Sequence, residues 1–226
     1  MRMAKLHATH PPAPASRLPV RDAGFSLIEL LLVLLIFSVL TGAALTLVVN
    51  AYKTLQGRLS SSTALDRGLR AVNQMSREIR MAGFPSDKSF TTTAVTSYPG
   101  IVAIPFVTAS AYDLKFEADT DSDGRVEQIE YVLASGAETI IRRRTLKNLN
   151  GSLATTTLVS TLFLDHVQNQ TLSQPLFSWD LDPSSSRPFP QNIQTVYVNA
   201  ILKPVGEQGG TAANVTLVAA CQRMNP

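Results

Sequence analysis

Residues 20 through 84 contain no proline, and the first half of that stretch is an apolar run of bilayer length. From Gly24 to Val49 the chain reads G-F-S-L-I-E-L-L-L-V-L-L-I-F-S-V-L-T-G-A-A-L-T-L-V-V, with a single ionisable residue, Glu29. A helix needs about 20 such residues to cross a bilayer. A carboxylate inside the apolar segment costs roughly 2.5–3.5 kcal/mol on insertion scales, so it is expected to have a partner. No Lys or Arg occurs between Phe25 and Tyr52. The nearest cation that could serve is an N-terminal amine; without one, Glu29 is expected to be protonated and idle in lipid.

The same feature limits the rest of the chain. Past Val49 the pattern turns amphipathic. Leu55, Leu59, Leu65, Leu69, Val72, Met75 and Ile79 recur mostly three or four apart, with Gln, Arg, Ser and Asp between them. The pattern stops at Gly83-Phe84-Pro85, with glycine past the last turn and proline beyond. One helix from about Phe25 to Ala82 is predicted, roughly 85 Å long at 1.5 Å per residue. Gly42, Gly57 and Gly68 are the positions where it is weakest. Arg77, Glu78 and Arg80 are expected on a solvated face.

From Ser86 onward the composition shifts to Thr, Val, Ile, Tyr and Phe runs broken by Gly, Pro and Asn, which are strand and turn signals. Strands are predicted near 101–107, 112–117, 126–133, 138–144, 176–180, 194–201 and 214–220. Residues 156–166 fit a short helix or a strand equally well. Strands after one long helix imply an α+β fold, with the C-terminal half of the helix packed on an antiparallel β-sheet head. Four segments follow: a leader at 1–24, a transmembrane or filament-core part of the helix at 25–49, its amphipathic part at 50–84, and a β-rich head at 85–226.

The leader is basic and proline-rich, holding Arg2, Lys5, Arg17 and Arg21. Those four residues, set against Asp22, account for the +3 charge and the pI near 9.2, so the basic balance gives no reason to expect nucleic acid as a partner. A secretory signal is cut after its apolar run. Here the candidate cut, at Gly24, lies before the run, so the apolar segment stays with the mature chain. The positive leader is expected to remain cytoplasmic, which puts the head on the far side of the membrane.

Gly24-Phe25-Ser26-Leu27-Ile28-Glu29-Leu30 resembles the processing site of type IV prepilins. The resemblance implies that a prepilin peptidase cuts after Gly24 and N-methylates Phe25. It also implies that Glu29 pairs with the N-terminal amine of a subunit in the filament and sets axial register. The helix end, Arg70 through Pro85 with its I-R-M-A-G-F string, resembles PilW-type minor pilins. What that implies is a minor pilin of a type IV pilus, joining other minor pilins in a priming or tip complex that initiates assembly for adhesion and twitching motility. Its expected partners are the major pilin, the inner-membrane assembly platform and a large PilY-type tip adhesin. Its expected path runs from the inner membrane, with the head in the periplasm, to the pilus at the cell surface. A type II secretion pseudopilin of the GspJ kind, or a competence pseudopilin, shares the leader and the broad architecture. An uncut, membrane-anchored periplasmic domain is the reading from a different class.

Other chemistry is sparse. Asp119-x-Asp121-x-Asp123-Gly124, with Glu130 six residues after the glycine, fits a calcium-loop pattern in which alternate carboxylates converge on one ion. Asp119, Asp121, Asp123 and Glu130 would be its side-chain ligands, with the Arg125 carbonyl. The flanking segments look like strands, and a solvated acidic hairpin turn accounts for the same residues. No cofactor is otherwise required. Arg142-Arg143-Arg144 is expected on a solvated edge strand that discourages aggregation, with a patch for an acidic subunit as the sharper reading. Outside the leader the only histidine is His166, and there is no Ser-His-Asp set, glycine-rich phosphate loop or C-x-x-C, so no enzyme is expected. The lone Cys221 follows an apolar run and is expected to be buried and inert.

Overall fold

The computed structural model describes residues 24–204 and 213–224. Of the leader expected at 1–24, everything up to residue 23 lies outside the described residues. The chain divides into two units, Met1–Val49 and Asn50–Pro226.

A single helix, α1, spans Leu27–Arg80. In the first unit its Leu, Ile and Val side chains are exposed all round. This is the surface of a candidate membrane anchor rather than of a helix that packs on its own chain. In the second unit the buried positions are Gly68, Ala71, Val72, Met75, Glu78 and Ile79, one stripe at helical spacing. The helix stops at Gly83, whose φ of +82° is free only to glycine and whose N–H donates to the Glu117 carbonyl at 2.8 Å.

Two antiparallel sheets take up that stripe. The first comprises β1 (Thr108–Ala109), β2 (Asp113–Ala118), β3 (Glu127–Leu133), β4 (Thr139–Leu146) and β5 (Val159–Asp165), in that order across the sheet. The second comprises β6 (Phe177–Leu181), β7 (Ile193–Leu202) and β8 (Val215–Gln222). A short helix, α2 (Thr92–Ser97), follows α1 and is capped by the Thr91 hydroxyl, which accepts from the Ala94 N–H. Burial along β3 alternates strictly. Ile129, Tyr131 and Leu133 face inward, with Leu114 and Phe116 of β2 beside them. Val196, Val198 and Ala200 of β7 and Leu217 and Cys221 of β8 complete one core with Val72, Met75 and Ile79. The fold is α+β and consistent with a type IV pilin-like architecture.

The structure corrects three expectations. The predicted strand at 101–107 is not regular. It begins as a 3-10 turn (Pro99–Ile101), and Pro105 has no N–H to offer a ladder. The segment is tied down by side chains instead: Glu117 accepts the Ile104 N–H at 2.9 Å, and Lys147 Nζ donates to the Val102 carbonyl at 3.0 Å. Arg142, Arg143 and Arg144 do not lie on an edge, because β4 is flanked by β3 and β5. Glu78 is not solvated but faces the core. The undecided segment 156–166 is a 3-10 turn at Thr155–Thr157 followed by β5.

Candidate functional site

Gly24, Phe25 and Ser26 lie just ahead of α1 and are exposed, Phe25 to 81%. An extended, open segment is what a peptidase needs in order to reach a backbone. Glu29 sits in the first turn of the helix, where the macrodipole favours a carboxylate. It forms no ion pair among the described residues, and Phe25 is one helical turn before it.

The family description of the prokaryotic N-terminal methylation motif matches residues 20–45, which include Gly24, Phe25 and Glu29. No curated protein and no solved structure gives a significant match to the chain. The motif, together with an apolar N-terminal helix packed farther along on antiparallel sheets, supports a type IV pilin-like prepilin, of a pilus or a pseudopilus.

The acidic loop joins β2 to β3. Carboxylate oxygens of Asp119, Asp121 and Asp123 lie within 4.8 Å of one another. Asp119 is buried and already accepts the Asp123 N–H at 3.2 Å and the Gly124 N–H at 3.0 Å, while Asp123 accepts the Arg125 N–H at 2.8 Å. Asp121 accepts from Arg144 at 2.6 Å. Gly124 has a φ of +82° in open space. The structure does not bring Glu130 to the three aspartates. It stands on the outer face of β3, at 3.1 Å from both Lys115 and Arg143. Glu127, three residues earlier and fully buried, holds Thr120 and Arg144 instead. These contacts suit a hairpin turn held by its own backbone, and strands flank it on both sides where a calcium loop of this pattern has helices.

Sequence reasoning missed a polar cluster under the sheet. Arg142 donates from Nε and Nη2 to the two oxygens of Glu78 at 3.0 Å each, and Gln74 Nε2 donates to Glu78 Oε1 at 3.0 Å. Arg142 and Arg144 share the inner face of β4, whereas Arg143 points outward to Glu130. Strand alternation would have found this division, had the two neighbouring acids been known to face the same way. Burial alone would weaken the charge of Arg142, but its bonds to Glu78 hold its pKa above the ordinary arginine value. Cys221 is buried and donates to the Ser76 hydroxyl at 3.2 Å; burial pushes its thiol pKa up, so it is a poor nucleophile.

Proposed function

We propose that this chain is a PilW-like minor pilin of a type IV pilus, cut between Gly24 and Phe25 by a prepilin peptidase and N-methylated on Phe25. The observation that carries the reading is the methylation motif at residues 20–45, set on an apolar helix that runs on into a two-sheet head. The precursor is held in the inner membrane by residues 25–49, with its head in the periplasm. After cleavage the helix moves from lipid into the filament core, where the Leu and Val side chains exchange one apolar environment for another. Glu29 pairs with the amine of an adjacent subunit and fixes axial register. With other minor pilins and the inner-membrane platform, the subunit primes assembly and stays near the tip, beside a large adhesin.

The same motif serves a type II secretion or competence pseudopilin, and the helix-end string at residues 70–85 is what favours the pilus. The test is the intact mass and N-terminal sequence of the protein from membranes, with and without a prepilin peptidase. A mature chain starting at N-methylated Phe25 supports the prepilin reading. A chain that still carries its leader in the presence of the peptidase overturns it and leaves an uncut anchored domain. Loss of pili without loss of secretion on deletion then separates the pilus from the secretion system.

A further inference from the structure

β5 ends the five-stranded sheet, and its outer edge has no neighbour among the described residues. Val159, Ser160, Thr161 and Leu162 are all exposed, although β4 pairs with every one of them. Leu158, Val159 and Leu162 are 54%, 53% and 70% exposed. Proteins usually blunt such an edge with charge, proline or shortness. The edge strand β1 is two residues long. β5 has none of these protections before Asp165: it reads V-S-T-L-F-L.

A second observation concerns charge. Beside β5 runs a cleft of about 390 Å³ between α1 and the strand, lined by Arg67, Arg70, Ala71 and Gln74 on one wall and Leu162 to Asp165 on the other. Arg70 is exposed and makes no ion pair among the described residues. Arg67 reaches only Asp165, at 3.8 Å, and is 63% exposed there. On β5, Val159 and Thr161 stand opposite Arg144 and Arg142, so they lie on the face of the sheet that looks towards α1. A strand added about 4.8 Å beyond β5 would carry alternate side chains onto that face, the side of the sheet on which Arg67 and Arg70 of α1 line the cleft.

We infer that β5 is a strand-addition site for an extended, apolar, acid-bearing segment of another pilin-like subunit, with the acid on its inward face meeting Arg67 and Arg70. Backbone hydrogen bonds to the open edge supply affinity, and the charge and the apolar Leu162 and Val159 supply register. A second copy of this chain offering its own β5 would bring the same arginines face to face, and like charges disfavour that pairing. The inference rests on the pilin reading for the class of partner.

The test is a photo-crosslinking residue placed at Leu162 in the full-length chain, expressed in its native cells. The N-terminus of the same sample is sequenced. The expected result is a covalent heterodimer whose crosslinked peptide is an extended, Asp- or Glu-bearing segment of a second methylated subunit. Arg67→Glu with Arg70→Glu should lower its yield about tenfold. A dimer of this chain, a crosslink to a helix, or no product from cells holding the mature chain overturns the inference while leaving the pilin reading intact. An N-terminus still bearing its leader overturns that reading, and with it the class of partner named here.

Discussion

The Tyr131 hydroxyl donates a 2.6 Å hydrogen bond to Glu78 Oε2, joining β3 to α1 across 53 residues of sequence. Arg142, opposite Tyr131 on β4, grips the same carboxylate. Burial, and then the Glu78 charge beside it, push the Tyr131 pKa far up, so this hydroxyl stays a donor at any working pH. Removing one member strands the others. Glu78→Gln should destabilise the fold by about 3–5 kcal/mol, because Arg142 is left charged and nearly dry. Replacing all three, as Glu78→Leu, Arg142→Met and Tyr131→Phe, should recover most of that loss. Denaturant unfolding of the full chain in detergent, followed through Trp179, compares the two; equal losses would refute the ion-pair account.

Two helix glycines should respond in opposite directions. A Cβ on Gly68 would run into methyl groups of both Leu202 and Leu217, where β7 and β8 come close to α1. Gly57 has nothing within 4 Å. Gly57→Ala should therefore stabilise the helix by up to about 1 kcal/mol. Gly68→Ala should cost about 1–3 kcal/mol through overpacking, despite the same gain in propensity. Paired melting curves decide it, and a stabilised Gly68→Ala would show that the leucines yield freely.

Asp113 gives a pH dependence of known sign. Burial, and next the Glu130 carboxylate, raise its pKa in the fold, with Lys115 and Arg143 opposing, and its Oδ1 is buried without a hydrogen bond. A raised acid favours folding when protonated, so its contribution is complete below the unfolded value of 3.8 and is lost as pH rises through the folded value. Asp113→Asn should thus be slightly more stable than the parent at neutral pH, by less than about 1 kcal/mol after screening. The gain should vanish as pH falls from the folded pKa to below 3.8. A difference that grows towards acid pH would reverse the assignment.

The acidic loop should behave as a turn. Asp119→Ala removes the acceptor for the Asp123 and Gly124 N–H groups and should destabilise the β2–β3 connection by about 1–3 kcal/mol. That loss should be the same in chelator and in millimolar calcium. A calcium-dependent rise in the melting temperature of the parent, absent from the variant, would establish an ion site instead.

Glu29→Gln should leave peptidase processing intact while reducing incorporation into filaments by an order of magnitude or more, since each tenfold corresponds to about 1.4 kcal/mol. Quantitative blotting of sheared filaments against membranes reads both. Normal incorporation would remove Glu29 from any part in register.

Periodicity made the extent of α1 legible almost to its end, because glycine and proline close it, but not its contacts: of the apolar positions it picked out, Val72, Met75 and Ile79 are buried while Leu55, Leu59, Leu65 and Leu69 are exposed. The strands near 112–117, 126–133 and 194–201 were legible for a similar reason: one face of each is buried, and β3 alternates without a fault. What escaped was long-range. Nothing local in Arg142-Arg143-Arg144 reveals that Glu78, 64 residues away, lies beneath the first of them. Three consecutive charges look solvated until their partners are known. The break into two sheets was equally hidden, since residues 166–176 carry turn signals whether one sheet continues or another begins. The motif around Gly24, Phe25 and Glu29 was legible because it is a contiguous run of sequence and needs no fold around it.

The bare apolar half of α1 governs how this molecule can travel. Wetting its exposed Leu, Ile, Val and Phe side chains together would cost on the order of tens of kcal/mol. No aqueous intermediate is therefore open to the chain. A chain carrying that surface is held to apolar surroundings, and a transfer from one such environment to another has to take place at a boundary the two share.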